Sequence, residues 1–216
     1  MIHSFDFSKK EVGEVGKVIK SDRSVARISG LPGAVLGEGV STISGAHGMI
    51  TKLGLGYIEA MMFANMPIDI GEKVARTGEP LKISVGHGML GDTFDALGHI
   101  TSVEKEPSKD SENRIVEAEA WAMDSRAEIK DFLSTGVTVV DMVVPIAKGQ
   151  RELIIGDQKT GKTEFILQTI KTQAQMGNIC IIALIGKEQA EIVRIQNELT
   201  TAKVINKCII VAESAK

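Results

Sequence analysis

The chain has 216 residues, of which 43% are hydrophobic and 25% are charged, a composition typical of a folded protein with a buried core. Its 25 basic and 28 acidic residues give a formal net charge of −3, so no overall positive field attracts nucleic acid or an anionic membrane. We therefore expect no nucleic-acid partner, and any cationic chemistry must be local.

The chain shows no sequence pattern of secretion or of membrane insertion. Its first ten residues lack the apolar stretch of a secretory signal, and the longest purely apolar run, residues 179–185, is far too short to cross a bilayer. We therefore expect the chain on the cytoplasmic side of the membrane. Cys180 and Cys208 each lie in an apolar stretch, which favours two buried thiols over a disulfide.

Residues 12–82 have the pattern of a small β-barrel. Short apolar alternations such as VGEVGKVI are broken every several residues by glycine, proline or polar turn residues. The Met and Ala content of residues 57–66 would also suit a helix, but the neighbouring glycines and Pro67 favour a strand there. We assign residues 1–82 to an N-terminal β-barrel domain.

From residue 151 onwards, apolar strands alternate with helices. We predict strands at 151–156, 178–186 and 206–212, and helices at about 162–176 and 187–202. Strands that are apolar throughout and separated by helices indicate a parallel sheet covered on both faces. We assign residues 83–216 to the first part of an α/β domain. Because a sheet of only three parallel strands is small for such a domain, we expect that domain to be incomplete at Lys216.

The α/β domain contains a phosphate-binding pattern between its first predicted strand and helix. The sequence GDQKTGKT fits the Walker A pattern of a P-loop, G-x-x-x-x-G-K-[ST]. Its glycines let backbone N–H groups point at a phosphate, and the helix end adds a partial positive charge. Lys162 supplies a cation for the β and γ phosphates, and Thr163 supplies a hydroxyl for magnesium, so we expect Mg-ATP or Mg-ADP as ligand. The predicted nucleotide-binding residues are Gly156, Asp157, Gln158, Lys159, Thr160, Gly161, Lys162, Thr163 and Glu164, and Thr163 is also the predicted metal ligand.

Binding a nucleotide does not by itself establish hydrolysis. Hydrolysis also needs a group that orients water and an acidic residue that holds magnesium at the end of a later strand. After the second α/β strand, Lys187 and Glu188 stand where a water-orienting carboxylate is expected. A charged lysine cannot serve as a base, and whether Glu188 faces the phosphates stays open. We therefore assign no catalytic residue.

The run DMVVPIAKGQRELIIGDQKTGKTEF resembles the alpha subunit of rotary F-type ATP synthases, in which VPI, GQRELIIGD and a TGKT loop follow one another closely. GEVGKVIKSDRSVARISGL, EKVARTGEP and LGDTFDALGH are similar to other parts of that family's sequence, so the likeness covers about residues 12–213. The resemblance implies a β-barrel followed by a RecA-like nucleotide-binding domain. It also implies a ring in which alpha-type subunits alternate with catalytic beta-type subunits around a central stalk.

The resemblance implies a subunit that binds magnesium nucleotide without turning it over. Such a subunit is peripheral to the membrane, in a complex that couples ATP to ion transport. Lys187 stands where beta-type subunits carry a glutamate and alpha-type subunits usually a glutamine. The loop reads DQKT where the family usually has D-R-Q-T, and residues 105–124 replace a basic, glycine- and proline-containing run. These departures suggest a specialised paralogue, in a ring that drives work other than proton transport. The family's magnesium-binding aspartate, inserted arginine and C-terminal domain lie beyond the equivalent of Lys216.

Two other functions stay open from the sequence. One is a self-sufficient P-loop ATPase of the same architecture, of the protein-export type, with Glu188 as its base. The other is a scaffold in which the loop is vestigial. Turnover by the chain alone would favour the first, and failure to bind Mg-ATP would favour the second.

Overall fold

Six strands in the first part of the chain form a closed antiparallel barrel in this computed structural model. The structure describes residues 14–22, 24–63, 68–101, 111–120 and 122–214. The barrel strands are β1 (Val15–Asp22), β2 (Val25–Ser29), β3 (Glu38–Thr42), β4 (His47–Leu53), β5 (Ile58–Met62) and β6 (Lys73–Pro80). Their order is β1-β2-β5-β4-β3-β6, and β6 closes the barrel because it pairs with both β3 and β1. The predicted N-terminal β-barrel is confirmed.

The barrel core follows from the alternation of side chains along each strand. In β2, Ala26 and Ile28 are fully buried, and Arg27 between them lies on the outer face. The buried core residues are Val18, Ala26, Ile28, Leu31, Val40, Ile50, Ile58, Ala60, Met62, Ile68 and Val74. In strands such as β2, a shift of one residue would move Ala26 and Ile28 out of this core, so their burial favours the observed register.

The strand predicted within residues 57–66 is present as β5. Ala60 and Met62 on this strand point into the barrel core, and β5 pairs with both β2 and β4. Residues 64–67, which include the end of that predicted strand, lie outside the described part of the chain.

A short antiparallel pair follows the barrel strands. β7 (Lys82–Val85) pairs with β9 (Glu112–Ile115). The described residues up to Val85, together with 111–119, form one compact unit, and the described residues from Gly86 outside 111–119 form a second unit. A domain boundary between residues 82 and 83 stays a prediction.

The second unit contains a parallel sheet and its covering helices. β8 (Thr93–Phe94), β12 (Cys180–Lys187) and β13 (Cys208–Ser214) form three parallel strands with β13 in the centre. The other elements are β10 (Phe132–Leu133), α1 (Thr138–Val143), β11 (Ile146–Ala147), α2 (Lys162–Gln175) and α3 (Gln189–Thr201). β10 and β11 pair antiparallel. None of the helices within the described ranges is long and apolar enough to cross a membrane.

The strands predicted at 178–186 and 206–212 are confirmed as β12 and β13. The two predicted helices are confirmed as α2 and α3. The prediction of a strand at 151–156 is wrong. Residues 151–156 form no strand, and the third strand of the sheet is the two-residue β8. Leu153 and Ile155 are 81% and 83% exposed. An apolar, strand-prone run forms a strand only where a neighbouring strand accepts its backbone hydrogen bonds, and no described segment pairs with these residues.

The apolar faces of the two long helices form the core of the second unit. In α3, Ile192, Ile195 and Leu199 recur at helical spacing and are all at most 3% exposed. The buried residues of this core are Leu167, Ala174, Ile182, Leu184, Ile192, Ile195, Leu199, Val204, Cys208 and Ile210. Cys180 and Cys208 are register neighbours on β12 and β13, and both are free thiols, as predicted. Cys208 is buried, as expected, but Cys180 is only partly buried. Burial raises the pKa of Cys208 to about 11, so this thiol is protonated at neutral pH.

The two long helices end in the same motif with different residues at the left-handed position. After α2, Gly177 has φ 92°, and after α3, Lys203 has φ 59°. In both cases the N–H groups of the left-handed residue and of the residue after it bond to carbonyls of the last helical turn, for example Val204 N–H to the Leu199 carbonyl at 3.0 Å. A glycine takes this conformation at no steric cost, whereas a side chain costs about 1 kcal/mol there.

We therefore expect Lys203→Gly to raise the free energy of unfolding of the second unit by about 0.5–1 kcal/mol. The measurement is urea denaturation followed by circular dichroism at 222 nm, which reports on α2 and α3. Gly177→Ala is the matched reverse change. A Cβ added at Gly177 meets no atom within 4 Å, so its expected loss of about 1 kcal/mol comes from the backbone conformation alone. Equal stability of the wild type and both variants would show that these ends are frayed.

Candidate functional site: the phosphate-binding loop

The Walker A residues lie in a loop that leads directly into α2. Helix α2 begins at Lys162, and Gly161 before it has φ 87° and ψ 8°, in the left-handed region. A Cβ added at Gly156 would lie 2.8 Å from the Thr160 hydroxyl oxygen, so a side chain there would displace this hydroxyl. The loop glycines therefore permit a curled backbone that side chains would prevent.

Lys162 reaches back across this loop. Its Nζ donates hydrogen bonds to the carbonyl oxygen of Gly156 at 2.6 Å and to that of Asp157. The Thr160 hydroxyl donates to the Asp157 carbonyl at 2.8 Å, and the Lys162 Nζ lies 3.4 Å from the same hydroxyl oxygen. The ammonium group is thus held inside the loop, at the positively charged end of α2. An anion held by this loop would meet the cation directly.

Thr163 and Glu164 follow on the first turn of α2 and have different surroundings. The Thr163 hydroxyl has no hydrogen-bond partner among the described residues, so its oxygen is available to a ligand. The Glu164 carboxylate accepts a hydrogen bond from Arg194 of α3 at 3.1 Å. No side chain caps the amino end of α2, so its first N–H groups are also available.

Lys187 and Glu188 lie where β12 passes into α3. Lys187 Nζ pairs with Glu191 Oε1 at 3.1 Å, one helical turn further on. Glu188 is the residue that precedes the first turn of α3, and its carbonyl accepts hydrogen bonds from Glu191 and Ile192. The lysine is therefore engaged with a carboxylate of the helix that follows its strand. The Glu188 side chain forms no ion pair with a described residue.

A loop before α1 supports α2 and was not found from the sequence. The Asp141 carboxylate accepts hydrogen bonds from the Thr135 hydroxyl at 2.6 Å and from the Thr135 N–H at 2.9 Å. These bonds, the hydroxyl first, hold the pKa of Asp141 below its usual value. Gln173 of α2 donates to the Ser134 carbonyl at 2.7 Å, so the loop and the helix are joined. The partners are separated by up to 39 residues, and no local pattern reveals them.

Arg194 was also missed by sequence reasoning. It lies on α3 in a stretch that alternates charged and apolar residues, which is typical of a solvated helix face. Its contact with Glu164 spans 30 positions and becomes visible only when α2 and α3 pack side by side.

Comparison with known proteins shows which family this region is similar to. Residues 136–216 match the nucleotide-binding domain of the ATP synthase alpha/beta family. ATP synthase subunit alpha of Rickettsia bellii (strain OSU 85-389) is 35% identical, over 95% of this chain and 42% of its own length. ATP synthase subunit alpha of Caldanaerobacter subterraneus subsp. tengcongensis is 35% identical, over 99% of this chain and 42% of its own length. The resemblance to ATP synthase alpha subunits is confirmed.

A third relative extends the same pattern. ATP synthase subunit alpha 1 of Dinoroseobacter shibae is 35% identical, over 94% of this chain and 40% of its own length. The chain thus spans about two fifths of the length of the curated relatives that it matches. The fold agrees with this similarity, because a β-barrel precedes the region that matches the nucleotide-binding domain.

Proposed function

We propose that this chain is an alpha-type subunit of a rotary ATPase, which binds Mg-ATP or Mg-ADP at residues 156–164 and does not hydrolyse it. The observation that carries this proposal is the position of Lys162, whose ammonium group is held by carbonyl oxygens inside a glycine loop at the start of α2. A phosphate chain needs a cation and oriented N–H groups at one place, and this loop has both.

The residues of the loop also suit a magnesium ion that arrives with the nucleotide. Magnesium in such sites is bound by one or two protein oxygens, by phosphate oxygens and by water. The Thr163 hydroxyl would supply one protein oxygen. Among the described residues no group of three or more His, Cys, Asp or Glu could hold a metal on its own, which agrees with a metal bound together with its nucleotide. The ion would neutralise phosphate charge, and Lys162 would compensate the remainder.

The absence of turnover at this site is supported by the surroundings of Lys187. A water-orienting carboxylate is needed beside the γ phosphate, and the chain has a lysine at the end of β12, paired with Glu191. In the alternative proposal, the chain is a self-sufficient ATPase and Glu188 is its base. We favour the first proposal because the relatives that cover almost the whole chain are named alpha subunits.

We further propose that catalytic beta-type subunits alternate with this subunit in a six-membered ring around a central stalk. The complex would be peripheral to the membrane, on its cytoplasmic side. If the complex has the function that the resemblance implies, it couples ATP to ion transport. If the departures at DQKT and residues 105–124 mark a specialised paralogue, the complex drives a different kind of work.

The test combines calorimetry with phosphate release. The full chain is titrated with Mg-ATP, and turnover is then measured for the chain alone and for the chain with its beta-type partner. We expect binding without turnover by the chain alone, and native mass spectrometry of the complex should give a mixed ring with bound nucleotide. Turnover by the chain alone that is lost in Glu188→Gln would establish the self-sufficient ATPase. Absence of Mg-ATP binding in both the wild type and Lys162→Ala would establish the scaffold.

A further inference from the structure

We infer that Arg194 is a positioning residue for the nucleotide site. From α3 it binds the Glu164 carboxylate of α2, and so keeps that carboxylate away from the amino end of α2. This inference rests on the proposed function, because it concerns the anion site of the same loop. It assigns a role to a residue that lies outside the Walker A pattern.

The position of Glu164 in α2 makes it a potential competitor for the anion site. Gly161 is the residue before the first helical turn, so Glu164 is the third residue within the helix. A glutamate at this position commonly folds back and accepts a hydrogen bond from the N–H of the capping residue, which completes a capping box. Here that N–H belongs to Gly161, within the phosphate loop. A carboxylate bound there would take the place of a phosphate oxygen.

In the structure Glu164 is turned the other way. Its Oε1 lies 3.1 Å from Arg194 Nη1, and no side chain caps α2. Arg194 is itself fixed, because the same Nη1 lies 3.3 Å from Glu198 Oε2, and Glu198 also pairs with Lys171 of α2. Two ion pairs therefore link α2 to α3, and one of them removes Glu164 from the loop.

The charge of the loop depends on this pair. Residues 156–164 carry two lysines, Lys159 and Lys162, and two carboxylates, Asp157 and Glu164, so their formal charges cancel. When Arg194 neutralises Glu164, the remaining three charges sum to +1. A triphosphate is strongly anionic, so it binds better to the loop when Arg194 is paired with Glu164.

The structure also supplies a control for helix packing. Lys171 and Arg194 each bridge α2 and α3 through a carboxylate, but only Arg194 contacts Glu164. The side chain of Lys171 is 24% exposed and that of Arg194 is 47% exposed, so the more buried bridge is the one that does not involve the loop. Loss of either bridge loosens the helices, and only loss of Arg194 releases Glu164.

The experiment is calorimetric titration of the full chain and its variants with Mg-ATP. We expect Arg194→Ala to weaken binding by about three- to fivefold, the size of effect that a capping or helix-end charge produces. Arg194→Ala/Glu164→Ala should bind as Glu164→Ala does, because Arg194 then has no Glu164 carboxylate to hold. Arg194→Lys should weaken binding less than Arg194→Ala. Lys171→Ala should stay within about twofold of wild type, because Glu164 stays paired.

The outcomes separate this inference from the proposed function. Failure of the wild-type chain to bind Mg-ATP would overturn the proposed function. If the wild type binds, an unchanged affinity in Arg194→Ala would overturn the role of Arg194 alone. If Arg194→Ala causes the same loss of affinity when Glu164 is already alanine, Arg194 acts on the nucleotide directly or through helix packing. If Lys171→Ala causes an equal loss of affinity, the effect comes from helix packing. If Arg194→Ala does not fold, an equal loss from Arg194→Lys in the wild-type and Glu164→Ala backgrounds would overturn the inference instead.

Discussion

Replacing Lys162 by alanine is expected to lower the affinity for Mg-ATP by at least about a hundredfold, because it removes the cation held inside the phosphate loop. Lys162 Nζ bonds to the carbonyl oxygens of Gly156 and Asp157, so in the wild type the charge is already in place before a ligand arrives. In the variant these carbonyl oxygens would face phosphate oxygens with no cation between them. Calorimetric titration of the full chain with Mg-ATP measures the loss.

Lys159 supplies a matched control in the same loop. It carries the same charge three residues earlier, has φ 63°, and forms no ion pair with any described residue. Its removal changes the net charge as much as Lys162→Ala does, but leaves the internal cation in place. We expect Lys159→Ala to weaken binding by about threefold, the effect of one solvated charge. Equal losses in both variants would show that only net charge matters, and unchanged affinity in Lys162→Ala would remove the loop from the site.

The parts of this protein that the sequence predicts correctly are those set by local patterns. The barrel was recognisable because alternation with turn residues repeats along it, as the inward pair Ala26 and Ile28 shows. Helices α2 and α3 were recognisable because each follows or separates strands that are apolar throughout. The Walker A loop was recognisable because its four defining residues fall within eight positions, and each has a direct physical role.

The parts that were missed depend on contacts between distant segments. Residues 151–156 have the composition of a strand, yet no described segment lies beside them, and composition cannot reveal a missing partner. The third strand of the sheet comes instead from two residues of β8, a run too short to stand out. Arg194 and Glu164 are 30 positions apart, and each looks like an ordinary solvated charge in the sequence.

A second long-range contact, the buried ion pair of Glu38 and Arg76, gives the largest expected effect on stability. The side chain of Glu38 is only 5% exposed, and both of its oxygens accept hydrogen bonds from Arg76 Nε, at 2.9 and 3.0 Å. The carboxylate also accepts the N–H groups of Val35 at 3.1 Å and Gly78 at 2.9 Å. Arg76 further bonds to Glu14 at 3.1 Å. The hydrogen bond with Glu38 is the main reason why the pKa of Arg76 is raised.

We expect Arg76→Ala to lower the free energy of unfolding of the barrel by about 3 kcal/mol, because it leaves the buried Glu38 carboxylate without a cation. Glu38→Ala should cost a similar amount, since it leaves the Arg76 Nε–H and two backbone N–H groups without their acceptor, and only the contact with Glu14 remains to the guanidinium. The double variant should lose less than the sum of the two single losses, because it leaves no unpaired buried charge. Fluorescence of Tyr57, the single tyrosine of the chain, reports on the barrel during urea denaturation if Trp121, the single tryptophan, is replaced by phenylalanine in every protein compared, because tryptophan emission otherwise dominates.

The pair of Arg27 and Glu59 on the same barrel is the matched control, because it joins the same two residue types at 2.8 Å across β2 and β5. Arg27 is 42% exposed at its side chain, so water already solvates the guanidinium and screens the pair. Arg27→Ala should therefore cost at most about 1 kcal/mol, even though it also removes the contact of the guanidinium with the Tyr57 ring. A loss as large as that of Arg76→Ala would show that burial is not what makes the Glu38 pair important. A small loss in both variants would mean that water reaches Glu38 in solution. The expected difference between the two arginines thus measures what it costs to leave a buried carboxylate without its cation, because the N–H groups of Val35 and Gly78 still bond to Glu38.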